Sequence, residues 1–299
     1  MIEVMNLSKC YGEKKALLDV SFSVANGEVV GLIGKNGAGK STILKSIAGL
    51  LHFDSGKILY DGIDCSESPQ VIRDFGILIE CAFLDYINAY DNLKLLYKVD
   101  ERNDLKKADE KISEVFTLVG LDKVKYKRVK SYSFGMKQRL GLAQAMLTSK
   151  TFMMLDEPFI GLDPVGKEIV KKAIVKKAKE ENYAILFSSH DLEDVAEICD
   201  RIIMIDNGIC VYDNVINRLK KYSITITLND NVSIDTIRKE ALKIGKNIKV
   251  SETELVFTDS RDTDILHKVL ELLMPACTIN EISATDNMLS GMFEKEKGE

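Results

Sequence analysis

Residues Val29 to Thr42 constrain this chain more than any others. Val29-Val30-Gly31-Leu32-Ile33 is a continuous apolar run, the pattern of a buried strand, and it breaks into Gly34-Lys35-Asn36-Gly37-Ala38-Gly39-Lys40-Ser41-Thr42. Beyond the break Ile43, Leu44, Ile47, Ala48 and Leu51 recur on one helical face. The loop matches G-x-x-x-x-G-K-[ST] from Gly34 to Ser41, a phosphate-binding loop. Glycines let successive backbone N–H groups turn inward, and the helix N-terminus adds the positive end of its dipole. Lys40 is expected to reach the β- and γ-phosphates, and Ser41 to offer its hydroxyl to Mg²⁺. An ordinary glycine-rich turn is the bland alternative. At average residue frequencies the pattern arises by chance in a chain this long only about once in a hundred, and the strand and helix around it lower that further. The chain is expected to bind a nucleoside triphosphate.

Composition narrows the partners. The 299 residues allow two domains, or one large domain with an appendage. A net charge of −5 argues against nucleic acid as the main partner, because phosphate neutralisation needs a basic face. Six scattered cysteines without a C-x-x-C pair read as buried free thiols of a reducing cytosol. No basic and apolar leader opens the chain, and no apolar run approaches a membrane span, so any work at a membrane is expected from its side.

The first twenty-eight residues read as antiparallel strands, with Leu18, Val20, Phe22 and Val24 alternating and Asn26-Gly27 turning into the phosphate loop. Tyr11, in the loop between the first two strands, either stacks on an adenine or simply packs on a strand edge. A second hairpin turns at Asp61-Gly62. Ala108, Ile112, Val115, Phe116 and Val119 share a helical face ahead of Gly120, within a helical insertion spanning about residues 82–148. Thr151–Leu155 and Ala184–Phe187 are short apolar runs typical of strands buried on both faces of a parallel sheet. Between them Lys171, Lys172, Lys176, Lys177 and Lys179 are expected on a solvated helix face. From Tyr222 a new β-α-β-β-α-β pattern begins, compatible with a small ferredoxin-like module without catalytic residues.

Three further stretches carry chemistry. Asp156 and Glu157 close the Thr151–Leu155 run; Asp156 suits Mg²⁺ and Glu157 suits the general base that activates water for in-line attack. His190, after the next apolar run, is suited to a hydrogen bond with the γ-phosphate or with that water. Tyr132-Ser133-Phe134-Gly135-Met136 opens a helix on which Met136, Leu140, Ala143 and Leu147 share a face. Ser133 is a credible N-cap there, and a helix N-terminus with Ser and Gly is also an anion site.

The order of Tyr11, the Gly34–Ser41 loop, Glu80, the Tyr132–Met136 signature, the Asp156-Glu157 pair, Gly161-Leu162-Asp163 and His190 resembles that of ABC transporter ATP-binding subunits, over residues 1–215. The wording Tyr-Ser-Phe-Gly-Met-Lys-Gln-Arg-Leu-Gly is similar to the bacitracin-export and lantibiotic-immunity subgroup. The resemblance implies an α/β fold: a P-loop NTPase core of RecA-like type with an antiparallel β subdomain and a helical subdomain within residues 1–217. A small α+β accessory domain over 222–299 follows. It implies ATP and Mg²⁺ as cofactors, with Tyr11 on the base and Ser41, Glu80 and Asp156 toward the metal. It further implies a separate transmembrane permease chain, a place on the inner face of the membrane, and a head-to-tail homodimer or heterodimer. In that dimer Ser133 and Gly135 contact the ATP of the partner's loop. Two departures stand out: the family's signature usually reads Leu-Ser-Gly-Gly-Gln, and the position of Glu80 usually holds Gln. A soluble ABC ATPase acting on ribosomes or chromosomes is the alternative, disfavoured by a single cassette and the lack of sustained heptads. A nucleotide sensor without turnover is disfavoured by the presence of both Glu157 and His190.

Overall fold

The apolar alternation builds a first layer and the continuous apolar runs a second. In this computed structural model, which describes residues 1–80 and 82–216 and the backbone of four later strands, the chain divides into two units, Met1–Val215 and Ile216–Glu299. The first opens with strands β1 (Ile2–Tyr11), β2 (Lys14–Val24) and β3 (Val29–Ile33), then helix α1 (Lys40–Ile47) and strands β4 (Ser55–Tyr60), β5 (Ile63–Asp64) and β6 (Phe75–Leu78). Helices α2 (Ala89–Val99), α3 (Ala108–Leu118) and α4 (Phe134–Thr148) follow, then β7 (Phe152–Leu155), α5 (Pro164–Glu181), β8 (Ala184–Ser189), α6 (Leu192–Ile198), β9 (Arg201–Asp206) and β10 (Ile209–Val215).

The antiparallel sheet runs in the order β2-β1-β4-β5. Its last hairpin turns on two residues, Asp61 and Gly62, both at positive φ (48° and 80°), as a two-residue turn between twisted strands requires. The alternation in β2 departs from expectation at one point. Asp19 sits at φ 47°, and the register with β1 shifts between Leu7↔Val20 and Lys9↔Leu17. That irregularity carries Leu17 into the core and leaves Leu18 half-buried.

The second sheet has the order β10-β9-β3-β8-β7-β6, parallel from β9 to β6 with β10 antiparallel at the edge. Every residue of β3, β7 and β8 is buried. One contiguous core joins Ile2, Leu7, Leu17 and Ile58 of the first sheet to Ile43 and Leu44 of α1 and to Leu32, Met154 and Leu186 of the second. On the other face a side chain at Gly31 would meet Val195 and Cys199 of α6 at 2.7 and 3.0 Å. The bare backbone lets that helix pack against β3.

Helix α3 buries Ala108, Ile112, Val115 and Phe116, and Gly120 follows at φ 64°. Helix α4 differs from the single-face expectation: Leu140, Gly141, Leu142, Ala143, Ala145, Met146 and Leu147 are buried around its whole circumference. The cause is β6, where Gly76 leaves only backbone, so that a Cβ there would lie 2.3 Å from the Ala145 carbonyl. The lysine-rich helix α5 also departs. Lys171 and Lys177 are buried rather than solvated, Lys171 bridging Asp194 at 2.8 Å and reaching Glu197, and Lys177 pairing with Glu181 at 2.6 Å. Among the cysteines, Cys65 and Cys199 are buried thiols, but Cys10 is exposed on β1. Cys81 and Cys277 lie outside the described residues.

In the second unit, β11 (Tyr222–Leu228), β12 (Ile248–Val250), β13 (Glu254–Thr258) and β14 (Ile279–Asp286) pair antiparallel in the order β12-β13-β11-β14. First and third strands sit inside, second and fourth outside, the order of a βαββαβ module. The two helices expected within this β-α-β-β-α-β pattern lie outside the described residues.

Candidate functional site

Strands β3, β8, β7 and β6 are consecutive neighbours pointing the same way, so the loops that leave them converge at one edge of the sheet. Those loops carry the Gly34–Ser41 stretch, His190, the Asp156-Glu157 pair and Glu80. The carboxyl edge of a parallel sheet is where open α/β proteins bind ligands.

The glycine-rich loop is shaped by close approach. At Gly34 (φ 156°) a Cβ would fall 2.2 Å from the Ile205 carbonyl on β9, whereas Gly37 (φ 83°) faces open space. The backbone is thus pressed onto the sheet at one point and bare at another, a cradle that any side chain would fill. Lys40, only 6% exposed, folds its ammonium back onto the Gly34 and Lys35 carbonyls at 2.6 and 3.3 Å. A cavity of about 700 Å³ lies over the loop, lined by Asn36, Gly37, Gly39, Lys40, Ser41 and Thr42, and by Tyr11, Asp156 and Glu157. Gly34, Lys35 and Ala38 of the loop do not line that cavity.

Glu157 is the most constrained member. Its backbone sits at φ 47°, left-handed and costly for a residue with a side chain. The Glu157 N–H donates to the Ser188 hydroxyl at 2.9 Å, and that hydroxyl donates in turn to Asp156 Oδ1. Gln138 Nε2 donates to the Glu157 carbonyl at 3.1 Å. The Glu157 carboxylate lies 2.9 Å from His190 Nδ1. His190 itself is exposed and does not line the cavity, which it meets only through Glu157.

Glu80 is not brought onto the cavity wall; its neighbour Ile79 is. The Glu80 carboxylate accepts from Lys45 of α1 at 2.9 Å and is largely exposed. That hydrogen bond and the Glu80 charge raise the Lys45 pKa, and the fields of Asp156 and Tyr11 add to it. Ser133 and Gly135 also stay off the cavity wall, although Phe134 between them reaches it. The Ser133 hydroxyl caps α4 by accepting from the Met136 N–H at 3.2 Å. Gly135 has a reason within the chain as well, since a Cβ there would lie 3.0 Å from the Gly161 carbonyl. Tyr11 is half exposed, with Lys9 Nζ 5.6 Å from its ring centroid, so one face is backed by a cation.

The residues present fit a magnesium nucleotide. Ser41 and Asp156 share the cavity with the Lys40 ammonium, and Mg²⁺ bound with phosphates needs only one or two protein carboxylate or hydroxyl ligands. Among the described residues no three or more His, Cys, Asp or Glu gather as a self-sufficient metal centre. Sequence reasoning gave no role to Ser188, Gln138 or Lys45. For Ser188 the signal lay in strand register: Leu155 pairs with Phe187 in parallel strands, which places a polar 188 beside 156.

Comparison with known proteins finds relatives of the whole first unit. The family described as "ABC transporter" matches residues 17–160. The lantibiotic transport ATP-binding protein SrtF of Streptococcus pyogenes is 37% identical over 209 residues, 70% of this chain and 88% of SrtF. The bacitracin transport ATP-binding protein BcrA of Bacillus licheniformis is 34% identical over 226 residues, 74% of this chain and 72% of BcrA. Among solved structures, an ATP-binding subunit of an ABC transporter is similar with a TM-score of 0.67 at 28% identity, covering 73% of this chain and 91% of that one. The dimeric ABC transporter cassette MJ0796 shares the fold with a TM-score of 0.67 at 24% identity, over 72% and 98% of the two chains.

Proposed function

The chain belongs to the ABC transporter ATP-binding proteins, and from that premise we propose that it hydrolyses ATP to ADP and phosphate to drive a separate membrane permease. Subunits of this family bind ATP, dimerise and work with permeases. Among the described residues no helix is long and apolar enough to cross a membrane, which suits a subunit held at the inner face by its permease. The transport relatives favour this reading over a soluble ATPase of ribosomes or chromosomes.

One observation carries the reaction: a carboxylate on strained backbone, hydrogen-bonded to His190, at the wall of the cavity that holds Lys40 and Ser41. Lys40 and the loop N–H groups hold the triphosphate and Tyr11 stacks on the base. Ser41 and Asp156 would hold Mg²⁺, which would neutralise phosphate charge, and Glu80 adds negative charge nearby. Glu157 takes the proton from water as that water attacks the γ-phosphorus, the bond to the bridging oxygen breaks, and ADP leaves. His190 orients the Glu157 carboxylate and the γ-phosphate. In a head-to-tail dimer Ser133 and Gly135 reach the partner's nucleotide. The names of SrtF and BcrA support a cargo of the lantibiotic or bacitracin class.

Glu157→Gln tests this. It should retain ATP binding, lower turnover by about 10²–10⁴, and accumulate an ATP-bound dimer on size exclusion. A variant that stays monomeric with ATP and hydrolyses it normally would overturn the assignment.

A further inference from the structure

A left-handed peptide bearing a long side chain persists only where its surroundings over-determine it. At Glu157 two side chains from separate elements do so. Ser188, fully buried at the end of β8, offers its oxygen to the Glu157 N–H at 2.9 Å and its proton to Asp156 Oδ1. Gln138, in the second turn of α4, donates at 3.1 Å to the Glu157 carbonyl, which also accepts from the Ile160 N–H of its own loop at 3.2 Å. The single hydroxyl proton of Ser188 is committed to Asp156, so its lone pairs face the Glu157 peptide, and the two carboxylates are set relative to one another. Neither Ser188 nor Gln138 makes a hydrogen bond to the Glu157 carboxylate, whose partner is His190.

We infer that Ser188 and Gln138 are positioning residues for the Glu157 carboxylate, holding the two peptide groups on either side of its Cα, and that Gln138 makes the base's position depend on the placement of α4. This rests on Glu157 acting as the general base. Rotation of a peptide swings the carboxylate that hangs from it, and a misplacement of about 1 Å at a reacting group costs up to about a hundredfold in rate. Helix α4 begins at Ser133 and Phe134, the exposed end nearest the cavity. A shift of that end moves Gln138 and slackens or tightens its hold on Glu157.

The test measures kcat and KM for ATP with Ser188→Ala and Gln138→Leu, each made in the native chain and in Glu157→Gln, with thermal melting to establish folding. In the native chain each should lower kcat by about tenfold to a hundredfold and change KM by less than about twofold, the pattern of an interaction made only in the transition state. In the Glu157→Gln chain, under single turnover, neither should lower the residual rate more than about twofold, because the group they place is gone. Equal losses in both backgrounds would mark a general effect on the fold and overturn the inference. If Glu157→Gln alone is impaired while both variants turn over normally, the inference fails and the general base stands. If Glu157→Gln itself hydrolyses ATP normally, both fall. Should Ser188→Ala not fold, Gln138→Leu at its half-buried site decides alone.

Discussion

Lys45 and Glu80 form an ion pair beside Ile79, which lines the cavity. An exposed, solvent-screened pair of this kind adds little to stability, so its importance lies in the field it leaves at the cavity. With Glu80 in place the Lys45 charge is matched. Glu80→Gln leaves an unmatched ammonium whose field reaches Asp156, which opposes a divalent cation and favours the triphosphate. Screening at the surface keeps the effect small, so the Mg²⁺ concentration for half-maximal turnover should rise by only about twofold to fivefold. Lys45→Met, with Glu80 retained, should lower it by a similar factor. Mg²⁺ titrations at saturating ATP read both shifts, and superimposable curves for all three proteins would show that the pair does not act on the metal. Tyr11 is simpler: with Lys9 against one face, its free face is the one available to a base, and Tyr11→Ala should weaken ATP binding by about 1 kcal/mol or somewhat more, about fivefold to tenfold, by nucleotide titration.

At the scale of elements, α5 and α6 are joined through Asp194. Its carboxylate, 4% exposed, takes Lys167 at 2.6 Å and Lys171 at 2.8 Å, while Glu197 holds Lys171 from its far side. Removing one partner of a buried pair strands the other charge. Because Glu197 remains and Lys167 is partly exposed, Asp194→Ala should cost about 3 kcal/mol, the low end of the usual cost of stranding a buried charge, lowering Tm by about 6–12 °C in a unit of this size. Thermal melting checks it, and an unchanged Tm would mean the cluster is fully relieved by water. The same cluster marks what the sequence conceals. Strand β3, its loop and α1 are legible because an apolar run, three glycines and a helical stripe lie within twenty residues. The cap at Ser133 and the stop at Gly120 are legible for the same local reason. Lys171 reads as a surface lysine because its partners stand more than twenty residues away, and its aliphatic stem hides in no local pattern. Helix α4 reads as one-sided because nothing nearby announces that Gly76 will open a strand to its far face. Ser188 needed the pairing of β7 with β8, and Leu17 needed the irregularity at Asp19. Contacts within a turn are written in the chain; contacts between elements need the register.

At the scale of the molecule the boundary at Val215/Ile216 separates the sheet edge β10 from the four-stranded module. Every group assigned to the nucleotide lies before it. A chain ending at Arg218 keeps both sheets of the first unit whole, so it should stay soluble and bind ATP within about threefold of the full chain, since few contacts cross a domain boundary. It should lose dimer stability or coupled transport. Insoluble protein, or loss of nucleotide binding in a titration, would show that the later strands complete the first unit.

The left-handed backbone at Glu157 has a further consequence for breeding this protein in the laboratory. A carboxylate there runs against the intrinsic preference of its own peptide by about 1–2 kcal/mol, a burden that glycine or asparagine would lift. A selection that rewarded heat tolerance alone would therefore drift toward those residues at 157, yielding sturdier molecules that still take up ATP but spend it far more slowly. Only pressure that scores turnover and endurance together would keep the acid in place.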